Sequence, residues 1–477
     1  MTLLVATALG MLGYRFANRD LVAFINDEPR FLTAARAQVH TDRWVTASPL
    51  VGNAGVRYGP TVVWFYGLVQ LTMGESAATS ILAMGAMMAA AHLALAIGLA
   101  RLFRGGPALF AVLLAWIASS PYQFFFSRLA WDQTVDVCAA WIVFICCWSG
   151  ALGWPAALCL GAVMGLALGS HPMVVPLVAA VAVVIVVEWA TAGLRSVGKA
   201  ALVAFGAAVV TLPYLLHLLH NPPHPTPRQA LSLRVLGEYF LQPARVATTW
   251  GVGYFFDSAW PDFRGWLGGS VVQLLLARPL LALAVGVSAF GIGTTLLSAD
   301  RPRRRVAWIA LLVWLGAPFL YAVRTLDRHP HYQFATWWIV PLGVAGTLHW
   351  LARRSRRAAV MGAAIVVGLA LLQFQFNVEW MRYIRQREGT RGIHYATPLG
   401  AQRRTVLALC AMPDADLQVE NETLLFPDSL SYLALTEPAC RDKRVLVCGP
   451  GACPTAGGAR RVRLLYRSRI GGGLRLK

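Results

Sequence analysis

Five short stretches of the sequence combine ionisable and ring-bearing side chains in patterns that chemistry can use. Asn26-Asp27-Glu28-Pro29-Arg30 sets two adjacent carboxylates before a proline. Pro29 suits a first helical turn and acids favour a helix N-terminus, so the pair reads either as a plain helix start or as a general base with its neighbour. Ser127-Arg128-Leu129-Ala130-Trp131-Asp132-Gln133, with Asp136 a turn further, spaces an Arg and an Asp by four. On a surface such a pair contributes only tenths of a kcal/mol; in a site, Asp132 is a second carboxylate and Arg128 an anion ligand. Arg324 to Gln333 gathers Arg328, His329, His331 and Tyr332, a set able to grip a phosphate or to form an interfacial basic and aromatic belt. Arg57-Tyr58-Gly59-Pro60 and Gly169-Ser170-His171-Pro172 break apolar stretches. His171 there is a site candidate or part of a short helix connection. Catalytic candidates are thus Asp27 and Asp132. Substrate-binding candidates are Glu28, Arg57, Tyr58, Arg128, His171, Arg328, His329, His331 and Tyr332. Together they suit a carboxylate that deprotonates a hydroxyl within about 2.6–3.2 Å, beside cations that offset phosphate charge as a leaving group departs.

The elements that must position these residues are apolar. The chain has 477 residues, of which 57% are hydrophobic and 13% charged, and its mean hydropathy is +0.56. A soluble domain is nearer about 25% charged. The apolar residues run in blocks of roughly 18–25, the length that crosses a bilayer as a helix, where backbone groups must pair within their own segment. Alternating ~10-residue runs, the mark of a β-barrel, are absent. The expected fold class is all-α polytopic, with about eleven spans near 1–17, 79–102, 107–126, 134–150, 154–170, 173–190, 199–217, 280–298, 306–323, 335–351 and 358–376.

Net charge is +20, and its location points away from nucleic acid. Four short loops hold Arg101 and Arg104; Arg195 and Lys199; Arg301, Arg303, Arg304 and Arg305; and Arg353, Arg354, Arg356 and Arg357. The span count puts all four on one side, which the positive-inside rule makes cytoplasmic. Loop 18–78, the turn at 127–133, loop 218–279, the turn at 324–334 and the tail then face outward. Segment 60–74 is too short to span and is expected along the outer interface, with Trp64 and Tyr66 as anchors. The first segment lacks the features of a removable signal peptide and reads as a retained helix. These readings give a transmembrane domain over 1–376 with outer loop 18–78, and a soluble extracytoplasmic domain over 377–477.

That tail carries mixed charge and β-like runs at Thr423–Phe426 and Arg444–Val447, as a small α/β domain would. Its Cys410, Cys440, Cys448 and Cys453 allow two disulfides in three pairings, which an oxidising space favours over the competing zinc site. Cys138, Cys146, Cys147 and Cys159 lie in spans and read as packing residues.

The order of these features resembles the GT-C superfamily of polyprenyl-phosphate-sugar-dependent glycosyltransferases, of the protein O-mannosyltransferase and lipid A aminoarabinose transferase type. The resemblance covers about residues 1–350. It rests on the helix Asp27-Glu28-Pro29-Arg30-Phe31-Leu32-Thr33-Ala34-Ala35-Arg36 after a first span and on the segment Tyr58 to Tyr66. It also rests on the acid Asp132 in a later turn and on His331-Tyr332 leading to Pro341. It implies Asp27 as the base on the acceptor and Asp132 as a support of the site or a metal holder. Arg57, Arg128, His329, His331 and Tyr332 would contact the donor phosphate. Gly59 stands where many members carry Lys, with Arg57 the expected substitute.

The expectation is a glycosyltransferase at the outer face of a bacterial-type inner membrane. Its partners would be a polyprenyl-phosphate-linked sugar donor, a hydroxyl acceptor and the bilayer itself. A divalent metal is allowed by the acidic pairs, but no compact ligand set marks one. Two rivals stay open: a transporter or flippase of lipid-linked or anionic solutes, and a non-catalytic factor in envelope-glycan assembly. The midplane charges and broken helices of transporter sites are scarce in the sequence.

Overall fold

A computed structural model describes residues 2–25, 27–49, 57–148, 153–190, 194–222, 232–248, 259–276, 278–323, 335–390, 397–423, 427–449, 451–453, 459–467 and 472–477. The apolar blocks become helices, because only a helix satisfies its own backbone without water. They are α1 (Thr2–Tyr14), α2 (Glu28–Thr41), α3 (Thr61–Met73), α4 (Ala77–Leu102), α5 (Gly106–Ser119), α6 (Pro121–Phe126), α7 (Thr134–Trp148), α8 (Trp154–Ser170) and α9 (Val175–Ala190). Then follow α10 (Leu194–His220), α11 (Leu233–Ala247), α12 (Trp260–Trp266), α13 (Arg278–Leu296), α14 (Arg301–Val323), α15 (Ile339–Arg354) and α16 (Arg356–Arg387).

Among the described residues, four helices are long and apolar enough to cross a membrane: Ala77–Leu102, Val197–His220, Pro279–Leu296 and Arg356–Arg387. Six further apolar helices run 10–17 residues. The helical class is as expected, whereas the count of about eleven spans is not reached by this measure. Some boundaries move for local reasons. The expected span 107–126 is two helices, because Pro121 lacks an N–H and holds Ser120 in an extended conformation (ψ 121°) between them. The last long helix runs on to Arg387, past the expected end at 376. Its start is set by Ser355, whose hydroxyl accepts the Ala358 N–H at 3.3 Å. Segment 60–74 is helical as α3, but Tyr66 is fully buried rather than an interfacial anchor.

Small residues let helices close on one another. A Cβ at Gly161 of α8 would run into the Val203 carbonyl of α10, and one at Gly291 of α13 into the Gly343 carbonyl of α15.

The tail forms helices α17 (Leu399–Cys410) and α18 (Pro427–Thr436) on a four-stranded sheet. Its strands are β1 (Asp416–Asn421), β2 (Arg444–Cys448), β3 (Arg460–Tyr466) and β4 (Leu474–Leu476), in the order β2-β1-β3-β4. β1 pairs in parallel with β2 and β3, and β4 closes the edge antiparallel. The strand expected at Arg444–Val447 is β2. Just before the run expected at Thr423–Phe426, β1 ends at Asn421. The Asn421 side-chain oxygen takes the Thr423 N–H at 3.1 Å and turns the chain; residues 424–426 lie outside the described residues. Disulfides join Cys410 to Cys440 and Cys448 to Cys453, which leaves no thiolate there for zinc. Cys138, Cys146 and Cys147 are buried, but Cys159 faces outward instead of packing.

This domain docks on the segment after α1. Leu399 N–H donates to Val22 O at 2.8 Å, and Gln402 Nε2 donates to Phe24 O at 2.9 Å. Arg30 of α2 pairs with Asp428 of α18 at 2.9 Å, and the Tyr432 hydroxyl donates to the Glu75 carbonyl. The tail therefore covers the segment that carries Asp27 and Glu28.

Candidate active site

The carboxylates converge at one end of the bundle. Asp27 is the N-cap of α2, its carbonyl accepting the Phe31 N–H at 2.9 Å, and Pro29 occupies the first turn as the sequence implies. The Asp27 side chain keeps 13% of its surface exposed, with an Arg30 nitrogen 3.9 Å away. Glu28, the next residue, points inward and is buried. Asp132 lies in the turn between α6 and α7, buried as well, and its Oδ1 meets no hydrogen-bond donor among the described residues.

Glu28 and Asp132 both feel the charge of Asp27. Burial, and then the charges of Asp27 and Asp132, push the Glu28 carboxyl well above the usual range. Burial, and then Asp27, do the same for Asp132. A buried carboxyl that keeps its proton can donate a hydrogen bond, which an ionised one cannot. Tyr66, lying close to both Glu28 and Asp132, donates its hydroxyl to Trp131 O at 2.8 Å and so fixes the turn that presents Asp132.

His171 closes another wall. Its Nδ1 accepts the Met173 N–H at 3.1 Å, so in the neutral ring the proton sits on Nε2, 3.7 Å from Asp132 Oδ2. Burial pushes the His171 pKa down to about 3. Burial thus disfavours the charged form of both partners in this contact. The Tyr58 ring lies 4.4 Å from the imidazole. Tyr58 reaches that position because the chain at Gly59 passes directly against Gly169 of α8, and a Cβ at 59 would lie 2.5 Å from Gly169 Cα. A side chain of any kind is thereby barred at 59.

The structure thus brings together Asp27, Glu28, Asp132, Tyr58 and His171. Arg57 is exposed nearby, its carbonyl accepting the Tyr214 hydroxyl at 2.9 Å. Arg128 does not pair with Asp132. Its guanidinium is buried and donates to the carbonyls of Arg15 (2.9 Å), Ala17 (2.6 Å) and Asn18 (2.7 Å), anchoring the chain as it leaves α1. Arg328, His329, His331 and Tyr332 lie outside the described residues. Among the described residues, no three His, Cys, Asp or Glu side chains converge to hold a metal ion.

The sequence reading missed a polar layer beneath Asp132. Asp136, Gln123 and Trp337 are buried with polar atoms that lack aligned hydrogen bonds, and Trp337 faces Asp136. Asp136 was visible one turn after Asp132; Gln123 and Trp337 sit in apolar runs that carry no separate signal. A small cavity whose mainly apolar lining includes Ser120, Tyr122, Gln123 and Trp337 shares Trp116 with an apolar groove between α5, α13, α15 and α16. That groove has a volume of about 250 Å³ and is lined by Leu283, Val287, Val344, Leu348, Ile365 and Leu369 among others. Its lining runs from Val340 to Leu351 on α15, a rise of about 16 Å.

No protein-family model matches the sequence, and no curated protein matches it. Among solved structures, the chain is similar to ArnT from Cupriavidus metallidurans bound to undecaprenyl phosphate. The TM-score is 0.48 and the identity 16%, with 100% of this chain and 97% of that one covered. Against ArnT in the apo state the TM-score is 0.46 at 16% identity, covering 94% of this chain and 86% of that one. The arabinofuranosyltransferase AftD from Mycobacteria gives 0.44 at 14% identity, with 94% of this chain but 33% of AftD covered.

Proposed function

We propose that this chain is a membrane glycosyltransferase that moves a sugar from a polyprenyl-phosphate donor to a hydroxyl acceptor, at the outer face of an inner membrane. The observation that carries the reading is the convergence of Asp27, Glu28 and Asp132 with Tyr58 and His171 at one end of an apolar bundle, under a docked tail domain. Asp27 is the least buried of the three acids and acts as the base. It takes the acceptor's proton as the hydroxyl oxygen bonds to the anomeric carbon, the bond from that carbon to the phosphate oxygen breaks, and polyprenyl phosphate leaves. Attack opposite the leaving group inverts the sugar. Glu28 and Asp132, whose charged forms burial disfavours, line the pocket beside the sugar and phosphate oxygens. His171 donates from Nε2 as a neutral ring. The apolar groove suits a polyprenyl chain, which needs length and no polar partners.

Sugar transfer in nanodiscs tests this, with a panel of polyprenyl-phosphate sugars and Asp27→Asn compared with wild type at equal folding. A loss of about 100-fold or more supports the base. Equal activity makes Asp27 a helix-start residue and Asp132 the candidate.

A transporter reading draws on one feature, the buried Arg15–His92 contact (2.7 Å) inside the bundle. Arg15 is also held by the carbonyls of Ile117 at 2.6 Å and Ala118 at 3.1 Å, which ties it in place. Donor flux without donor consumption would favour that reading.

A further inference from the structure

The opposite end of the bundle gathers charge of the other sign. Gly85 of α4 packs against the Ser127 carbonyl near the carboxylates, and α4 ends at Leu102, about 25 Å further along its axis. Here the connections α4–α5, α13–α14 and α15–α16 meet. Arg303 is 8% exposed despite its charge. Its Nε donates to Leu102 O at 2.9 Å, its Nη1 lies 2.9 Å from His349 Nε2, and its guanidinium is 5.7 Å from the Phe103 ring centroid. Arg104 and Arg353 are close enough for their charges to act on Arg303, adding to the effect of burial in lowering its proton affinity. The carboxylate paired with Arg303 is Asp300, at 3.5 Å, and among the described residues none pairs with Arg104 or Arg353. Arg104 is held at φ 53°, a conformation uncommon outside glycine.

Two indoles mark the depth of this cluster. Arg101 lies 3.9 Å over Trp148, and Arg354 lies 5.0 Å over Trp350. Tryptophans and long basic side chains collect where hydrocarbon gives way to headgroups. A positive-inside bias accounts for many arginines at this end, but it does not require three of them to converge. Converged like charges repel, and an anion among them offsets that repulsion.

We infer that the exposed Arg104 and Arg353, gathered around the buried Arg303 and His349, form a binding site for the phosphate of an anionic phospholipid headgroup. Guanidinium forks match phosphate oxygens, and a phosphodiester at this depth would meet them without leaving its leaflet. The site is separate from the carboxylate cluster, and its test does not depend on sugar transfer.

The test is native mass spectrometry of the full chain, titrated with cardiolipin, phosphatidylcholine or inorganic phosphate. Arg104→Gln/Arg353→Gln is compared with Arg301→Gln/Arg357→Gln, a pair of arginines that are also exposed but lie outside the cluster. The expected result is cardiolipin binding in preference to phosphatidylcholine, weakened on the order of 30-fold by the first pair and little by the second. Equal losses in both pairs would mean diffuse surface charge and overturn the site. Binding of inorganic phosphate with no preference for cardiolipin would overturn the headgroup as its source. Arg303→Lys keeps the charge but loses the contacts to Leu102 O and His349 that hold the cluster together; cardiolipin affinity unchanged in it would also count against the geometry.

Discussion

A methyl group at position 59 would lie 2.5 Å from both Cα and O of Gly169 and 2.8 Å from its carbonyl carbon. All three are backbone atoms, so no side chain can swing away. Ordinary Cβ contacts begin at 3.4 Å, and the chain at 57–60 must therefore retreat from α8 by about 0.9 Å. Overpacking of this kind costs about 1–3 kcal/mol of stability. The displacement also separates two walls of the site, because Tyr58 precedes Gly59 and its ring partner His171 follows Gly169 by two residues. A misplacement of about 1 Å near reacting groups costs about 100-fold in rate. Gly59→Ala is thus expected to melt earlier and to lose about 100-fold in kcat for sugar transfer, measured in nanodiscs below its melting temperature. Gly368→Ala in α16 serves as the control. Nothing lies within 4 Å of its added Cβ, and replacing a mid-helix glycine should stabilise by about 0.5–1 kcal/mol without touching activity. A Gly59→Ala protein with wild-type melting and transfer would refute the reasoning from contact to catalysis. A lower melting temperature with full activity would leave Gly59 a packing position only.

Three other outcomes follow from the same contacts. Because burial raises the Asp132 carboxyl, the folded chain binds a proton there that the unfolded chain releases once pH passes the ordinary carboxylate value. Stability from this group therefore falls as pH rises through that window, and Asp132→Asn should gain on wild type in melting temperature from about pH 4 upward; parallel curves would contradict the assignment. Replacing Cys410 and Cys440, 30 residues apart, should cost the tail about 3.5 kcal/mol, against about 2 kcal/mol for Cys448 and Cys453, 5 apart. Limited proteolysis of the two double-serine variants ranks them, and the reverse order would show that chain entropy is not what these bridges supply. Arg128→Gln leaves three carbonyls without their donor and should lower stability by about 1–3 kcal/mol. A raised donor KM at unchanged stability would instead support a phosphate contact.

Read alone, the sequence determined what depends on neighbours along the chain. Apolar blocks far longer than a strand had to be helices. Pro29 beside two acids had to begin one, and Pro121 marked a break that the span reading passed over. Four cysteines in a polar tail favoured bridges over a zinc site but did not name the partners. The tertiary structure decided everything that depends on distance through space. Asp27 and Asp132 belong to different loops, and only packing brings their charges within reach of each other and buries one more deeply than the other. Arg128 has the side chain of a phosphate ligand, yet the carbonyls ending α1 surround it. Tyr66 has the side chain of an interfacial anchor, yet it is fully buried between carboxyls. In both cases residue type states what a group can bind, whereas the burial and donor geometry that select one partner arise only when distant segments pack.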